Sequence, residues 1–314
     1  METAGPSILL RRRTLQLAAL CILLASGLVI ATGIRTDSSG FARFAGIAAL
    51  QLIVSILFAR KARFSRHADL LGTMVLVWAS GMICGLISLS GLRLHFPLVD
   101  RQLLLLDHFL GIDTVGVVRW LSNLPRWVML MMEGAYHSTI PMVLAGLILL
   151  SVLGDRIEAW RAAFCFVGSV LSVCILSIFT PAKGTGLWLA DADFRSLPDD
   201  AVRYFWSTFD TFYSGKDPVL SIGAVDGVVS FPSFHVAMCL IVLAMWRTRL
   251  PALALASFWA IPMLGATLAI GGHYVVDLIG GALVWAGWYT VSLQLVRREQ
   301  TRSRAQNQPL CVKA

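Results

Sequence analysis

Two short runs in the last third of the chain, Phe231–His235 and Gly272–Asp277, combine residue types that can do chemistry. In the second run, His273 and Asp277 are four positions apart, a spacing that puts two side chains on one face of a helix, about one turn apart. A carboxylate placed there can accept the proton on one imidazole nitrogen and leave the other nitrogen free to attack an electrophile. The alternative is a hydrogen-bonded pair at a helix end that does no chemistry.

The first run predicts the start of a helix. Proline suits the first helical turn, where its missing N–H is no loss. The open backbone N–H groups of that turn, together with the hydroxyl of Ser233, can bind an anion such as phosphate. His235, just beyond, is placed to protonate a leaving oxygen. A capped helix with an interfacial histidine is the alternative, but the two runs together hold the components of phosphoryl transfer through a phosphohistidine.

The elements that must position these runs are membrane spans. The 314 residues are 57% hydrophobic and 14% charged, with a mean hydropathy of +0.74, whereas soluble domains carry about 25% charged residues. The net charge of +8 is spread between apolar runs, which indicates membrane-flanking charge and no nucleic-acid partner. An all-α integral membrane protein with about eight transmembrane helices is predicted, with spans near 14–34, 41–59, 70–92, 130–153, 157–180, 232–247, 251–270 and 275–296.

Charge patterning orients these spans. The segment 98–125 is interrupted by acidic and basic residues, so it is predicted to lie in the membrane interface and not to form a ninth span. Basic residues concentrate in segments that are cytoplasmic if the N-terminus is, which follows the positive-inside rule. An even number of spans then returns the C-terminus to the cytoplasm, and both histidine runs fall at the outer face.

The two runs resemble the second and third signature motifs of the type 2 phosphatidic acid phosphatase (PAP2) superfamily, which read PSGH and SRxxxxxHxxxD. The form His273-Tyr274-x-x-Asp277 is most similar to the branch that includes the inositol phosphorylceramide synthases. The resemblance implies a PAP2-like helical bundle with an active site at the extracytoplasmic face. It also implies that His273 is the nucleophile, Asp277 its orienting partner and His235 the general acid and then base. Ser233 would bind the phosphate oxygens.

The chain departs from the family pattern at several positions. The glycine of PSGH is Phe234, and the serine and arginine of the third motif correspond to Ala266 and Thr267. A phosphoryl group needs positive charge around its oxygens in the transition state. The missing arginine therefore bears on both the activity and the substrate class.

The first family motif, KxxxxxxRP, is not intact either. Its nearest counterpart is Lys183, which is a candidate phosphate ligand or else an interfacial anchor. Arg195, Arg203 and Lys216 are further cationic candidates in the same loop region. Glu133 and His137, which share a helix face near Tyr136, are expected to pair with each other; a site for a polar headgroup or acceptor is the alternative.

These features predict three regions: N-terminal spans with the interfacial segment (1–125), a PAP2-like catalytic membrane domain (126–298) and a disordered basic tail (299–314). The expected function is a lipid phosphate phosphatase that acts without a metal or other cofactor. A phosphotransferase that moves a phospho-headgroup to a lipid alcohol is the alternative, and a non-catalytic lipid-binding or transport relative is a second one. The expected location is a bacterial inner membrane, with both termini cytoplasmic.

Overall fold

The computed structural model describes residues 5–194, 197–199, 201–215, 219–221 and 228–306, and this part of the chain is almost entirely helical. Two short 3-10 helices, Ala62–Phe64 and Thr185–Trp188, and one parallel ladder pairing β1 (Arg35–Thr36) with β2 (Val219–Leu220) complete it. The α-helices are Gly5–Thr32 (α1), Ser38–Ala59 (α2), Ser65–Leu92 (α3), Asp100–Phe109 (α4), Thr114–Ser122 (α5), Arg126–His137 (α6), Thr139–Leu153 (α7), Arg156–Phe179 (α8), Asp191–Phe194 (α9), Trp206–Tyr213 (α10), Phe234–Met245 (α11), Leu250–Ala269 (α12) and Val275–Gln306 (α13).

The predicted all-α membrane fold is confirmed. Among the described residues, six helices are long and apolar enough to cross a membrane: α1, α2, α3, α8, α12 and α13. The bent pair α6 and α7 is a seventh if its two helices cross as one broken span, and the predicted segment 232–247 is the apolar α11, which has only 12 residues. At 1.5 Å per residue α11 is about 18 Å long, shorter than the hydrocarbon core of about 30 Å. All eight predicted segments are therefore helical, but one of them is too short to cross unaided.

The bend between α6 and α7 has a local cause. The two helices meet at 55° around Ser138. Pro141 has no backbone N–H to donate to the carbonyl of His137 one turn earlier, and its ring crowds that carbonyl. The break lets α6 pack on α12 while α7 packs on α11.

The centre of the bundle is α8. It packs against α1, α3, α7, α11 and α13. Of the 18 consecutive residues that form its most apolar stretch, 78% are buried. A helix buried on all sides must be apolar or small all round, and α8 meets this with residues such as Ala163 and Gly168. In α2 only 6% of the corresponding stretch is buried, so its apolar side chains face outward.

The basic segments predicted to be cytoplasmic come together at one end of the bundle. Arg156 forms an ion pair with the buried Asp69, and Arg247 binds Glu158. The chain enters α12 beside Arg249, which pairs with Asp155. His235 opens α11, which leads towards this end, and His273 follows α12, which leaves it. Both histidines therefore lie at the opposite end of the bundle.

Removing the Asp69 carboxylate should destabilise the basic end. Asp69 is 2% exposed, and its Oδ1 accepts a hydrogen bond of 2.8 Å from Nε1 of the buried Trp160. Asp69→Ala leaves this donor without an acceptor and breaks the pair with Arg156, so we expect a loss of about 2–4 kcal/mol in unfolding free energy. The control is Arg119→Ala, which breaks the exposed pair with Asp193 and should cost less than about 1 kcal/mol. Denaturant unfolding in one detergent would compare them, and equal losses would contradict the prediction.

Two other predicted segments have different outcomes. Segment 98–125 folds mainly as α4 and α5, of 10 and 9 residues, so the prediction that it is not a ninth span is confirmed. Its location in the interface and the domain boundary at 125/126 stay predictions. The predicted disordered tail 299–314 is wrong over 299–306, because α13 continues to Gln306. That stretch contains good helix formers that extend a helix already begun; residues 307–314 lie outside the described ranges.

Candidate active site

His273 and Asp277 are in contact in the interior of the protein, although only Asp277 belongs to a helix. His273 precedes α13 by two residues, in the turn that follows α12. Its Nδ1 lies 3.2 Å from Oδ2 of Asp277, and the two side chains are 3% and 0% exposed. The structure thus brings together the pair predicted from its spacing, with a turn supplying the geometry expected of a helix.

The carboxylate of Asp277 is held by more than the imidazole. Its Oδ2 also accepts a 2.9 Å hydrogen bond from the backbone N–H of Tyr274 and another of 2.9 Å from the hydroxyl of Ser230. An ionised carboxylate only accepts, so the proton of a neutral His273 is on Nδ1 and the lone pair is on Nε2. The sequence does not predict Ser230, because a loop serine three residues before Ser233 has no distinguishing pattern.

Ser233 lies on the other side of the same imidazole. Its Oγ is 3.3 Å from Nε2 of His273, and its side chain makes no capping hydrogen bond to α11. The backbone of Ser233 is fixed by donation from its N–H to the carbonyl of Asp277 at 2.9 Å. The first N–H groups of a helix have no acceptor within the helix. A hydroxyl, a helix start and a basic nitrogen therefore converge, which suits an anion with an electrophilic centre.

His235 faces this point from the first turn of α11. Its ring stacks on Tyr136 of α6, with centroids 4.0 Å apart and planes 18° apart, and its centroid is 6.4 Å from that of His273. Neither nitrogen of His235 hydrogen-bonds to another residue in the part of the chain that the structure describes. His235 is held by its ring face, and its nitrogens are left for a ligand. Tyr136 in turn contacts Tyr204 through their hydroxyl groups, which are 3.3 Å apart.

The backbone of Lys183 lies near the site, but its side chain pairs with residues outside the site. Its Nζ forms a 2.8 Å ion pair with Asp210 and lies 4.9 Å from the centroid of the Trp206 ring. No hydrogen bond or ion pair joins it to the histidines. Its role as a phosphate ligand therefore stays a prediction. Of the other cationic candidates, Arg203 lies over the ring of Phe194, and Arg195 and Lys216 fall outside the described residues.

The segments that carry the site touch each other through backbone. Gly184 has a φ of +84°, and a Cβ at this position would collide with the carbonyl oxygen of Gly272, next to His273. Gly281 lies one turn after Asp277 in α13, and a Cβ there would collide with the carbonyl oxygen of Ser233. Only glycine permits both approaches. Three segments distant in sequence are thus locked together without side chains between them.

The two residues at the positions where the third family motif has serine and arginine are buried in this protein. Ala266 and Thr267 are both fully buried at the end of α12, and the Thr267 hydroxyl donates to the carbonyl of Leu264 at 2.6 Å. The carbonyl of Thr267 accepts from the N–H of His273 at 3.1 Å. These residues help to fix the turn before α13, and they bring no positive charge to the site.

Glu133 and His137 do not form the expected pair. No ion pair or hydrogen bond joins them, and the ring of His137 contacts Tyr136 edge-on. Glu133 instead lines a cavity of about 480 Å³ together with Arg126 and Asp199. Helical spacing places two side chains on one face. At the surface, however, the ion pair between long flexible side chains competes with their hydration by solvent.

Comparison with known proteins gives one result. A family model described as "PAP2 superfamily" matches residues 101–291, which is 191 of the 314 residues. The match includes both histidines, Asp277, Ser233 and Lys183. A search of curated proteins and a search of solved structures each returned no match. Within the described residues there is no group of three or more His, Cys, Asp or Glu side chains arranged to hold a metal ion.

Proposed function

The chain belongs to the PAP2 superfamily, and on that basis we propose that it is a membrane-bound lipid phosphate phosphatase with His273 as its nucleophile. Members of this superfamily are generally phosphatases or phosphotransferases. The observation that carries the proposal is the double contact of one buried imidazole. Asp277 binds its Nδ1, while Nε2 faces Ser233 and the start of α11.

In the first step, Nε2 of His273 attacks the phosphorus of a lipid phosphate. The N–P bond forms as the bond from phosphorus to the ester oxygen breaks, and the lipid alcohol leaves with a proton from His235. Asp277 stabilises the imidazolium character that develops on His273. The Ser233 hydroxyl and the first N–H groups of α11 bind the phosphoryl oxygens as their charge redistributes.

In the second step, His235 acts in the reverse sense. It has lost its proton to the leaving alcohol, so it can accept one from water as the water attacks the phosphohistidine. The P–N bond breaks, and phosphate and the free imidazole are regenerated. The free nitrogens of His235 support this double role, because no protein group competes for them in the described part of the site.

A lipid alcohol in place of water would make the protein a phosphotransferase, and one observation favours this second candidate. The motif arginine is replaced by Thr267, which is closed into the core. A phosphate monoester carries nearly two negative charges near neutral pH, whereas a phosphodiester carries one. A site with fewer cations suits the diester better, as does the His-Tyr-x-x-Asp form of the inositol phosphorylceramide synthase-like branch.

The test is an assay of purified protein in mixed micelles. Phosphatidate and headgroup-labelled phospholipids are supplied with and without ceramide or diacylglycerol, for wild type and for His273→Ala. Free phosphate that disappears in the variant supports the phosphatase, and a new labelled lipid formed only with acceptor supports the transferase. Binding of lipid phosphate without turnover, in both proteins, would favour the non-catalytic alternative and overturn the proposal.

We also propose that the site faces outward from a bacterial inner membrane. The support for the orientation is the collection of Arg156, Arg247 and Arg249 at the opposite end of the bundle, because loops rich in Lys and Arg remain cytoplasmic. A C-terminal fluorescent fusion that matures only in the cytoplasm tests this orientation. A dark fusion on a folded and active protein would reverse it.

The stack between Tyr136 and His235 leads to a separate prediction. Aromatic pairs contribute about 0.5–1.5 kcal/mol beyond burial, which corresponds to roughly twofold to twelvefold in rate if the stack aligns His235. We expect Tyr136→Leu to lower kcat by about that factor, while Tyr136→Phe keeps the ring and stays within about twofold of wild type. Initial rates at saturating substrate would measure both. A loss in Tyr136→Phe as large as that in Tyr136→Leu would mean that the hydroxyl matters and the stack does not.

A further inference from the structure

The short helix α4 has an unusual buried face. Asp100, Leu103 and Asp107 are 4%, 4% and 0% exposed, and their spacing of three and four residues puts them on one side of the helix. The opposite side is exposed and contains Leu105, Leu106 and Phe109, the last of which is 86% exposed. Buried carboxylates are costly unless they are hydrogen-bonded, so the partners of the two aspartates indicate what this face does.

Asp107 binds the start of α13. Its Oδ2 accepts from the N–H of Val275 at 3.0 Å and its Oδ1 accepts from the N–H of Val276 at 2.8 Å. The hydroxyl of Thr114 also donates to Oδ2. An N-cap side chain normally accepts hydrogen bonds from the first N–H groups of its own helix. Asp107 accepts them from α13 although it belongs to α4. The two N–H groups that it binds lie between His273 and Asp277 in the sequence.

Asp100 binds the segment that passes on the other side of His273. Its Oδ1 accepts from the N–H of Gly184 at 2.8 Å, and the N–H of Lys183 is 3.0 Å away. The phenol of Tyr274 donates to the same oxygen at 3.1 Å and accepts from Nε1 of Trp188. Burial raises the pKa of the Tyr274 phenol, which keeps it a neutral donor. Burial also raises the pKa of Asp100, and the two backbone N–H groups oppose that rise.

We propose that Asp100 and Asp107 are positioning residues for the reaction at His273. Together they fix the two backbone segments between which the His273 turn runs: 183–184 on one side and 275–276 on the other. That turn sets the distance from Nε2 to Ser233 and from Nδ1 to Asp277. The inference rests on the proposed function, because it assigns the two carboxylates to the alignment of the same nucleophile.

Asp107→Asn provides the main test. An amide has an NH₂ group in place of one carboxylate oxygen, so it cannot offer a separate acceptor oxygen to each of Val275 and Val276 as the carboxylate does. A misplacement of about 1 Å in a reacting group can cost on the order of 10²-fold. We therefore expect kcat to fall by about that factor, with KM within threefold of wild type. The inhibition constant of vanadate, which imitates the five-coordinate phosphorus of the transition state, should rise in proportion to the loss of kcat.

The matched control is Asp113→Asn. Asp113 caps α5 through the N–H of Gly116 at 3.0 Å, so the same acid-to-amide change is made at a helix cap that does not touch the site, where asparagine caps as well as aspartate. We expect kcat and the vanadate constant of this variant within twofold of wild type. Thr114→Val is the fallback if Asp107→Asn does not fold. It removes one donor to Asp107 without a change of charge and should lower kcat by several-fold.

The outcomes separate the two proposals. If wild type, in the same way as His273→Ala, neither releases phosphate nor transfers a headgroup, the proposed function is overturned. If wild type is active and Asp107→Asn keeps the wild-type kcat, the positioning role alone is overturned. The same holds for Thr114→Val where it is used as the fallback. A fall in kcat without a matching change in vanadate inhibition also overturns it, because loss of folded protein lowers the first and leaves the second unchanged.

Discussion

His273→Ala is expected to remove turnover while leaving a folded protein. Without Nε2 there is no atom to form the bond to phosphorus, and Ser233, 3.3 Å away, loses its imidazole partner. In enzymes that form a covalent intermediate, loss of the nucleophile or its base costs up to about 10⁶-fold in kcat. We expect a fall of at least about 10³-fold, measured as released phosphate or transferred headgroup per folded molecule.

The control for this variant is His67→Ala. His67 is an exposed histidine near the start of α3, at the basic end of the bundle, where its ring contacts those of Phe58 and Phe64. The chemical change is the same, but we expect kcat within twofold of wild type. A labelled protein species that is stable to base and labile to acid should form with wild type and be absent in His273→Ala. Retention of that species in the variant would place the nucleophile on another residue.

Asp277→Asn should have the next largest effect. Oδ2 now accepts from His273, Tyr274 and Ser230. An asparagine that turns its NH₂ group towards His273 forces Nδ1 to accept, and the ring proton then moves to Nε2, the atom that must attack. In a serine protease the same change costs about 10⁴-fold in kcat through the wrong tautomer. We expect a loss on the order of 10³–10⁴-fold here, with substrate binding affected much less.

Asp193→Asn is a suitable comparison for this variant. Asp193 is an aspartate that pairs with Arg119 on the surface of the protein. An exposed pair of this kind contributes little, so its kcat should match wild type. If Asp277→Asn kept more than about a tenth of wild-type kcat, the carboxylate would not be orienting the imidazole, and the two residues would be a structural pair.

The fold was largely predictable because the dominant signal is local. Long apolar runs form helices in a membrane protein, since no other local structure satisfies the backbone without water. The bend at Ser138 was harder to predict from the sequence, because Pro141 indicates a break in the helix but not its angle. The extent of α13 was misjudged because polarity suggests a disordered tail, whereas a helix already begun extends into residues with good helix propensity.

The site was predictable in part for the same reason. His273 and Asp277 lie in one short run, Ser233 and His235 lie in another, and the residue types of each run are a local signal, whereas the contact between Ser233 and His273 comes from packing. The partners of these runs come from far along the chain: Tyr136 from α6, and Asp100 and Asp107 from α4. A pair of aspartates seven residues apart is a periodic signal, but in sequence it only suggests a helix face towards water. Packing alone reverses that reading.

The glycine contacts at Gly184 and Gly281 have a consequence for how this protein can change over generations. Both positions admit no side chain, since a Cβ would enter a carbonyl oxygen of a neighbouring segment. Neither residue is assigned any part in the chemistry, yet a saturation library selected for growth or activity should retain glycine at both, as strictly as it retains His273. Leu130 and Leu197, which line the cavity that includes Glu133, already carry side chains and are under no such constraint. Side chains elsewhere can then be exchanged, while the backbone contacts that hold the nucleophile stay the same.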